Sequence, residues 1–315
     1  MDKPNNSLFI GKEHLSMDGR DIKHVSLIKT FGRLSIHKTQ DESMSFIGMD
    51  LETDHTNGEL KLLGFWDEGQ YHYHLSHFIS HLYTWVRKSM YENKRIVWWN
   101  RLDPFIIFKQ FLLYQNKNAV IDRAMQFYGK IGGSWDKKEG AWKVKPVISV
   151  EINGKEFGIL HAIRSSILFY IKEGDEVKQV WAYDIAAMYQ SGLEKEATSR
   201  FDWYSKVDKS AHLVDWVKFD IDGNYAENIV LKSNMLDARA AHDLAHETMN
   251  QFQKAFGKYP KSLISQGSLA RSALMAQLEN MGLDPNEHGK RISMHHHMDH
   301  IVETLGPKKA KDFFA

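Results

Sequence analysis

The sequence predicts an α/β domain. Strand-like and helix-like segments alternate along most of its length, and 315 residues that are 43% hydrophobic suffice to bury a full core. Internal repeats and low-complexity stretches are absent, which favours one compact domain with a short C-terminal appendage over an array. Cysteine is also absent, excluding a disulfide framework, a zinc ribbon and a thiol nucleophile. No N-terminal apolar stretch resembles a signal peptide and no run approaches membrane-spanning length. The expected setting is therefore intracellular (cytoplasmic), with no membrane partner. A formal charge of +1 does not choose among partners, because a carboxylate-rich site can offset a basic groove.

Residues 1–43 are polar and mixed, with one apolar patch at Val25-Ser26-Leu27-Ile28, and read as an N-terminal extension. The run Phe46-Ile47-Gly48-Met49 reads as a buried strand ending in Asp50-Leu51-Glu52-Thr53. Asn57-Gly58 supplies turn chemistry before a second strand over 60–66, and a third follows at 70–74. Phe78, Leu82, Trp85 and Val86 recur at helical spacing and predict a helix that ends before Asn93. Residues 95–99 read as a buried strand leading into Asn100. Pro104 then suits the first turn of a helix carrying Phe105, Phe108, Phe111 and Leu112. Over 129–180 Gly132-Gly133, Asn153-Gly154 and Glu173-Gly174-Asp175 punctuate short strands, giving a β-rich portion. A helix over 193–201, a polar loop with Asp220, Asp222 and Gly223, and a long helix over 225–256 complete the main domain, 44–260. Gly257 and Pro260 stop the long helix, and 261–315 reads as a helical linker with a helix at 268–281.

The chemistry begins at Asp50 and Glu52. Alternation along a strand sends both to one face, where they repel each other and raise each other's pKa unless a cation lies between them. Oxygen-only ligands of this kind suit Mg²⁺ or Mn²⁺, although two solvated acids at a strand end is the plainer reading. Asp103 follows a strand and opens a helix, where an Asp is commonly an N-cap. Asp237 lies on the long helix beside an apolar face made by Leu236, Ala240 and Leu244.

Their order carries more than any one of them. Asp-x-Glu on a strand, then Trp99-Asn100-Arg101-Leu102-Asp103 between strand and helix, then Asp237 on a late helix resembles the exonuclease motifs of the DEDD superfamily. The stretch from Tyr183-Asp184-Ile185 to Glu196-Ala197 resembles the strand and helix before the third motif. Leu263-Ile264-Ser265-Gln266-Gly267-Ser268-Leu269-Ala270 is similar to the linker after the exonuclease domain of protein-primed family B DNA polymerases. The resemblance spans about Ser45 to Ala276. It implies a ribonuclease-H-like mixed sheet flanked by helices, with 129–180 as a β-rich insertion. It also implies two Mg²⁺ or Mn²⁺ ions on Asp50, Glu52, Asp103 and Asp237, and 3′→5′ exonuclease activity on a single-stranded DNA 3′ end. Thr53 and Asn100 would contact that end, and Lys206 would stand near the scissile phosphate. A polymerase domain or terminal protein is the implied partner, with this chain as the exonuclease portion of a polymerase or a stand-alone relative.

One position departs from the family. Where it orients the attacking water with a Tyr four residues before the last Asp, or a His five before, this chain has Ser233 and Lys232. Either another group does that work, with Lys206 the first suspect, or activity is weakened. On the sequence alone, Ser233→Tyr is expected to speed turnover. Two alternatives stay open: a fold kept for binding nucleic acid or bracing a polymerase, and a different ribonuclease-H-like nuclease. The run His295-His296-His297-Met298-Asp299-His300 reads as an incidental exposed segment, because adjacent histidines on a helix point apart.

Overall fold

The computed structural model describes residues 15–17, 20–22, 39–54, 58–100, 102–115, 134–136, 141–143, 146–163, 166–205 and 225–282. Lys206, the 220–223 loop and the 294–300 segment lie outside them. Glu42–Phe252 with Leu263–Gln266 form one compact unit; the described residues of Met1–Asp41, Gln253–Ser262 and Gly267–Ala315 belong to a second. In the second, Thr39–Gln40 pairs antiparallel with Tyr259–Pro260, and Lys258 reaches Glu279 at 3.1 Å.

The first unit is built on one eight-stranded mixed sheet. Its strands are β1 (Ser45–Thr53), β2 (Leu60–Asp67), β3 (Gln70–His74), β4 (Lys94–Trp98), β5 (Ile148–Ile152), β6 (Lys155–Ile163), β7 (Ser166–Glu173) and β8 (Glu176–Asp184). They lie in the order β5-β6-β7-β8-β4-β1-β2-β3. β1, β2 and β3 form an antiparallel meander, whereas β1 pairs parallel with β4, and β4 parallel with β8. β5 to β8 are antiparallel and continue the same sheet. The β-rich portion therefore extends the sheet that carries Asp50 and Glu52. Its first hairpin turns on Asn153 (φ 53) and Gly154 (φ 71), both left-handed as a two-residue turn between twisted strands requires.

Two faces of β1 divide the work. Ile47, Met49 and Leu51 point into a core shared with Phe65, Trp98 and the helices α1 (Phe78–Tyr91) and α2 (Asp103–Tyr114), through Leu82, Trp85, Val86, Phe108 and Phe111. The other face carries Phe46, Gly48, Asp50 and Glu52. On it lies the long helix, Tyr225–Phe256, which comes after α3 (Leu193–Arg200) and is α4. Contact is close: a Cβ at Gly48 would sit 1.9 Å from the Ala238 carbonyl oxygen, and one at Gly64 would sit 1.7 Å from Asn234 Oδ1. β1 is buried on both faces, which is why its sequence shows an unbroken apolar run rather than alternation.

At the end of the sheet where β1 and β4 begin, three carboxylates bring ligand atoms within 4.8 Å of one another: Asp67, Glu68 and Glu92. A lysine already holds them. Lys94 Nζ donates to Asp67 Oδ1 at 2.9 Å, Glu68 Oε1 at 2.7 Å and Glu92 Oε2 at 2.7 Å, and Lys88 Nζ binds Asp67 Oδ2. Asp67 is only 2% exposed. Burial by itself would raise its pKa, but the hydrogen bonds from Lys88 and Lys94 prevail and hold the carboxyl below its ordinary 3.8. Burial likewise depresses Lys94, and its three carboxylate bonds outweigh that and raise it. An ammonium at the centre of the group occupies the place a metal ion would take.

Lys94→Met should therefore leave Asp67 buried with only Lys88 to balance it. The expected loss is about 3 kcal/mol by urea denaturation at neutral pH, near the low end for breaking a buried pair. Because the folded pKa of Asp67 is depressed, its contribution is complete above pH about 4 and disappears as pH falls through the folded value. The gap between wild type and Lys94→Met should accordingly narrow in acid.

Candidate metal centre

The remaining acidic groups gather near the other end of β1. Asp50 and Glu52 sit half-buried on the α4 face, with Asp50 opposite Gly64 and Glu52 opposite Leu62 on β2. The pairing shifts between Glu52 and Thr53, a bulge of the kind common beside functional sites. Because Gly64 has no side chain, α4 can lower Asn234 over it. Asn234 Nδ2 donates to Asp50 Oδ2 at 2.8 Å, and its Oδ1 accepts from the Tyr71 hydroxyl on β3 at 2.7 Å. Burial raises the Tyr71 pKa, and the charges of Asp50 and Glu52 raise it further.

Asp237 is one helical turn beyond Ser233, on the side of α4 that meets the segment following α3. There the Tyr204 hydroxyl donates to Asp237 Oδ1 at 2.8 Å. Tyr204 is also held above its ordinary pKa, first by burial and then by Asp237, with a smaller push from Asp50. A stack fixes this segment on the helix. The Arg239 guanidinium lies 3.8 Å from the Trp203 ring centroid and 5.1 Å from that of Trp66, while Phe201 stacks on Trp203 at 5.2 Å.

Asp103 begins α2, immediately beyond β4. It does not cap the helix: Leu102 is the N-cap, and Asn100 Oδ1 takes the Leu102 amide at 2.9 Å. Asp103 is 2% exposed and its Oδ2 has no hydrogen-bond partner among the described residues. Burial raises its pKa well above the ordinary range, and the charges of Asp184 and Glu52 add to the rise. Asp184 ends β8 beside Trp98 in parallel register, and its Oδ1 caps a short helical turn (Ile185–Met188) by accepting from the Ala186 amide at 3.0 Å.

Charge thus links the sequence candidates through shared neighbours: Asp237 and Asp50 through Tyr204, Asp50 and Glu52 through Tyr71, and Glu52 directly with Asp103. Thr53 lies half-buried at the end of β1, beyond the bulge. Asn100 is exposed, its carbonyl and side chain both engaged in the turn that starts α2. Lys206 lies outside the described residues. Sequence reasoning missed Tyr71, Asn234, Tyr204 and Asp184 as members of the group. No local sequence signal marked any of the four.

A donor set made of carboxylate oxygens fits a hard divalent cation, and a deeply buried carboxylate oxygen with no protein partner is what such an ion would satisfy. No three of these carboxylates come within 4.8 Å of one another, an arrangement confined among the described residues to the lysine-filled cluster. Comparisons of the chain with protein-family models, curated proteins and solved structures find no match.

Proposed function

We propose that the chain is a metal-dependent 3′→5′ exonuclease domain of ribonuclease-H-like fold. In this reading it acts on single-stranded DNA 3′ ends, as the proofreading domain of a protein-primed polymerase does. The observation that carries the reading is the buried, unpartnered Oδ2 of Asp103, whose nearest charges include Glu52 on β1, the strand that also carries Asp50. A mixed sheet with β1, β4 and β8 parallel is compatible with that fold, and candidate ligands near the C-terminal ends of β1 and β4 support the reading, since open α/β sheets bind ligands there.

Two divalent ions would supply water activation and neutralise the phosphate. Asp50, Glu52, Asp103 and Asp237 would hold them, and Asp184 would add negative charge behind Asp103. Thr53, at the mouth of β1, would contact the 3′-terminal nucleotide. Asn100 would do so only if its side chain leaves the α2 turn. The missing tyrosine is answered by Tyr204, whose hydroxyl meets Asp237 from outside the helix. Ser233 is only 5% exposed, so a tyrosine there must displace packed neighbours rather than reach into the site.

Purified protein should shorten 5′-labelled single-stranded DNA in Mg²⁺ or Mn²⁺ and not in EDTA. Asp50→Ala with Glu52→Ala should abolish this while the protein still folds, because the repulsion relieved by removing adjacent like charges offsets part of the cost of leaving Asn234 Nδ2 without its acceptor. Wild type inert in both metals, yet binding the strand, would favour a binding or bracing module instead. Equal cleavage by wild type and double mutant would remove the site from Asp50 and Glu52.

Tyr204→Phe should lower kcat by roughly 10²-fold, within the range for loss of a positioned proton-transfer or orienting group. Ser233→Tyr should give no gain and a lower melting temperature. A faster Ser233→Tyr enzyme, with Tyr204→Phe unchanged, would restore the family arrangement on α4.

A further inference from the structure

A fully buried asparagine in the middle of a long helix needs a reason. Asparagine is a poor helix former, and a buried amide is costly unless each end is hydrogen-bonded. Asn234 is 0% exposed, and both ends are used. Its Nδ2 donates to Asp50 Oδ2 and its Oδ1 accepts from Tyr71, so the acceptor-only carboxylate sets which end of the amide faces it and the tyrosine hydroxyl satisfies the other end. With the amide reversed, its carbonyl oxygen would point at a carboxylate oxygen. Two other elements yield to this arrangement. Gly64 stands directly opposite Asp50 on β2, where any Cβ would come 1.7 Å from Asn234 Oδ1 and 2.9 Å from Tyr71 Cε2. β3 brings Tyr71 across Trp66 to the same face.

We infer that Asn234, held at its far end by Tyr71 and accommodated by Gly64, is a positioning residue that fixes the Asp50 carboxylate for divalent-cation binding; this rests on the metal reading of Asp50. The chemistry of the donor separates this device from the lysine-filled cluster at the other end of the sheet. Lys94 neutralises its carboxylates and fills their centre. An amide N–H holds one oxygen of Asp50 in place and leaves the negative charge intact, which is what a second layer of hydrogen bonds around a metal-ligating carboxylate does.

The test is Mn²⁺ titration of the full metal-free chain by calorimetry, with melting curves recorded without metal. Tyr71→Phe removes a single hydroxyl and should weaken Mn²⁺ binding about 10-fold, the lower end of the usual range for a lost outer-layer partner. Asn234→Leu and Gly64→Ala should each weaken it by roughly 10- to 100-fold, across that same range. Asn234→Gln, which keeps the amide on a longer arm, should recover part of the Tyr71-dependent affinity. Should Asn234→Leu or Gly64→Ala fail to fold, Tyr71→Phe decides alone. Wild-type affinity in a folded Tyr71→Phe protein would reduce Asn234 to a tether between α4 and the sheet, and overturn the inference. If Asp50→Ala binds Mn²⁺ as tightly as wild type, it is the metal reading of Asp50 that fails, and the inference with it.

Discussion

The close seating of α4 on β1 and β2 is the constraint on which the site depends. Helix backbones ordinarily stand off a sheet by the thickness of the side chains between them. Here two glycines on neighbouring strands remove that layer. Gly48 admits the Ala238 carbonyl and Gly64 admits the Asn234 amide, so a single helix turn, Asn234 to Ala238, spans the contact. Asp237 lies within that span, between the residue that meets β1 and the residue that meets β2. Raise the helix by one methyl group at either strand and both Asn234 and Asp237 leave the neighbourhood of Asp50. Stability and site geometry are therefore set by the same two positions.

The two acidic clusters on this sheet show how one kind of side chain is put to opposite uses. Asp67, Glu68 and Glu92 converge tightly because ammonium groups lie among them, and the result braces β2, α1 and β4. The donors that reach the Asp50 group from β3, α4 and the segment after α3 are hydroxyls and an amide, which orient carboxylates without cancelling their charge. Burial, and then the charges of Asp184 and Glu52, raise the pKa of Asp103. Tightness of clustering is thus a poor guide to a cation site here; the nature of the donors is the better one.

Much of the fold was legible because it is written in local pattern. Gly257 ends the long helix at Phe256 as a stop signal should, and Asn153-Gly154 makes the hairpin its dipeptide implies. The union of the β-rich portion with the main sheet was not legible, since β8 meets β4 only through two parallel residue pairs far apart in sequence. Asp103 was readable as an acidic residue at a helix start but misleading as a cap, because Leu102 holds the cap position and Asp103 is the first helical residue. Tyr204 and Asn234 could not be assigned at all. Their roles come from a carboxylate supplied by another element, and nothing in either local sequence names that partner.

In the exonuclease reading proposed above, an orienting hydroxyl on Tyr204 rather than on α4 would change what controls it. A tyrosine on α4 would be fixed by the helix that carries Asp237. Tyr204 is instead held by its own bond to Asp237 and by the grip of Arg239 on Trp203, reinforced by Asp243 at 3.5 Å from Arg239 and by Trp66. A cation–π contact of this kind contributes about 0.5–2 kcal/mol, comparable to one net hydrogen bond. Arg200 adds a second attachment just upstream, bridging Glu196 and Glu247 across α3 and α4. The hydroxyl is therefore positioned by several modest contacts rather than by covalent geometry, and a strand entering beside Trp203 would press on the segment that carries it. Contact with substrate and placement of Tyr204 would then be coupled through one short stretch of chain, Phe201–Ser205.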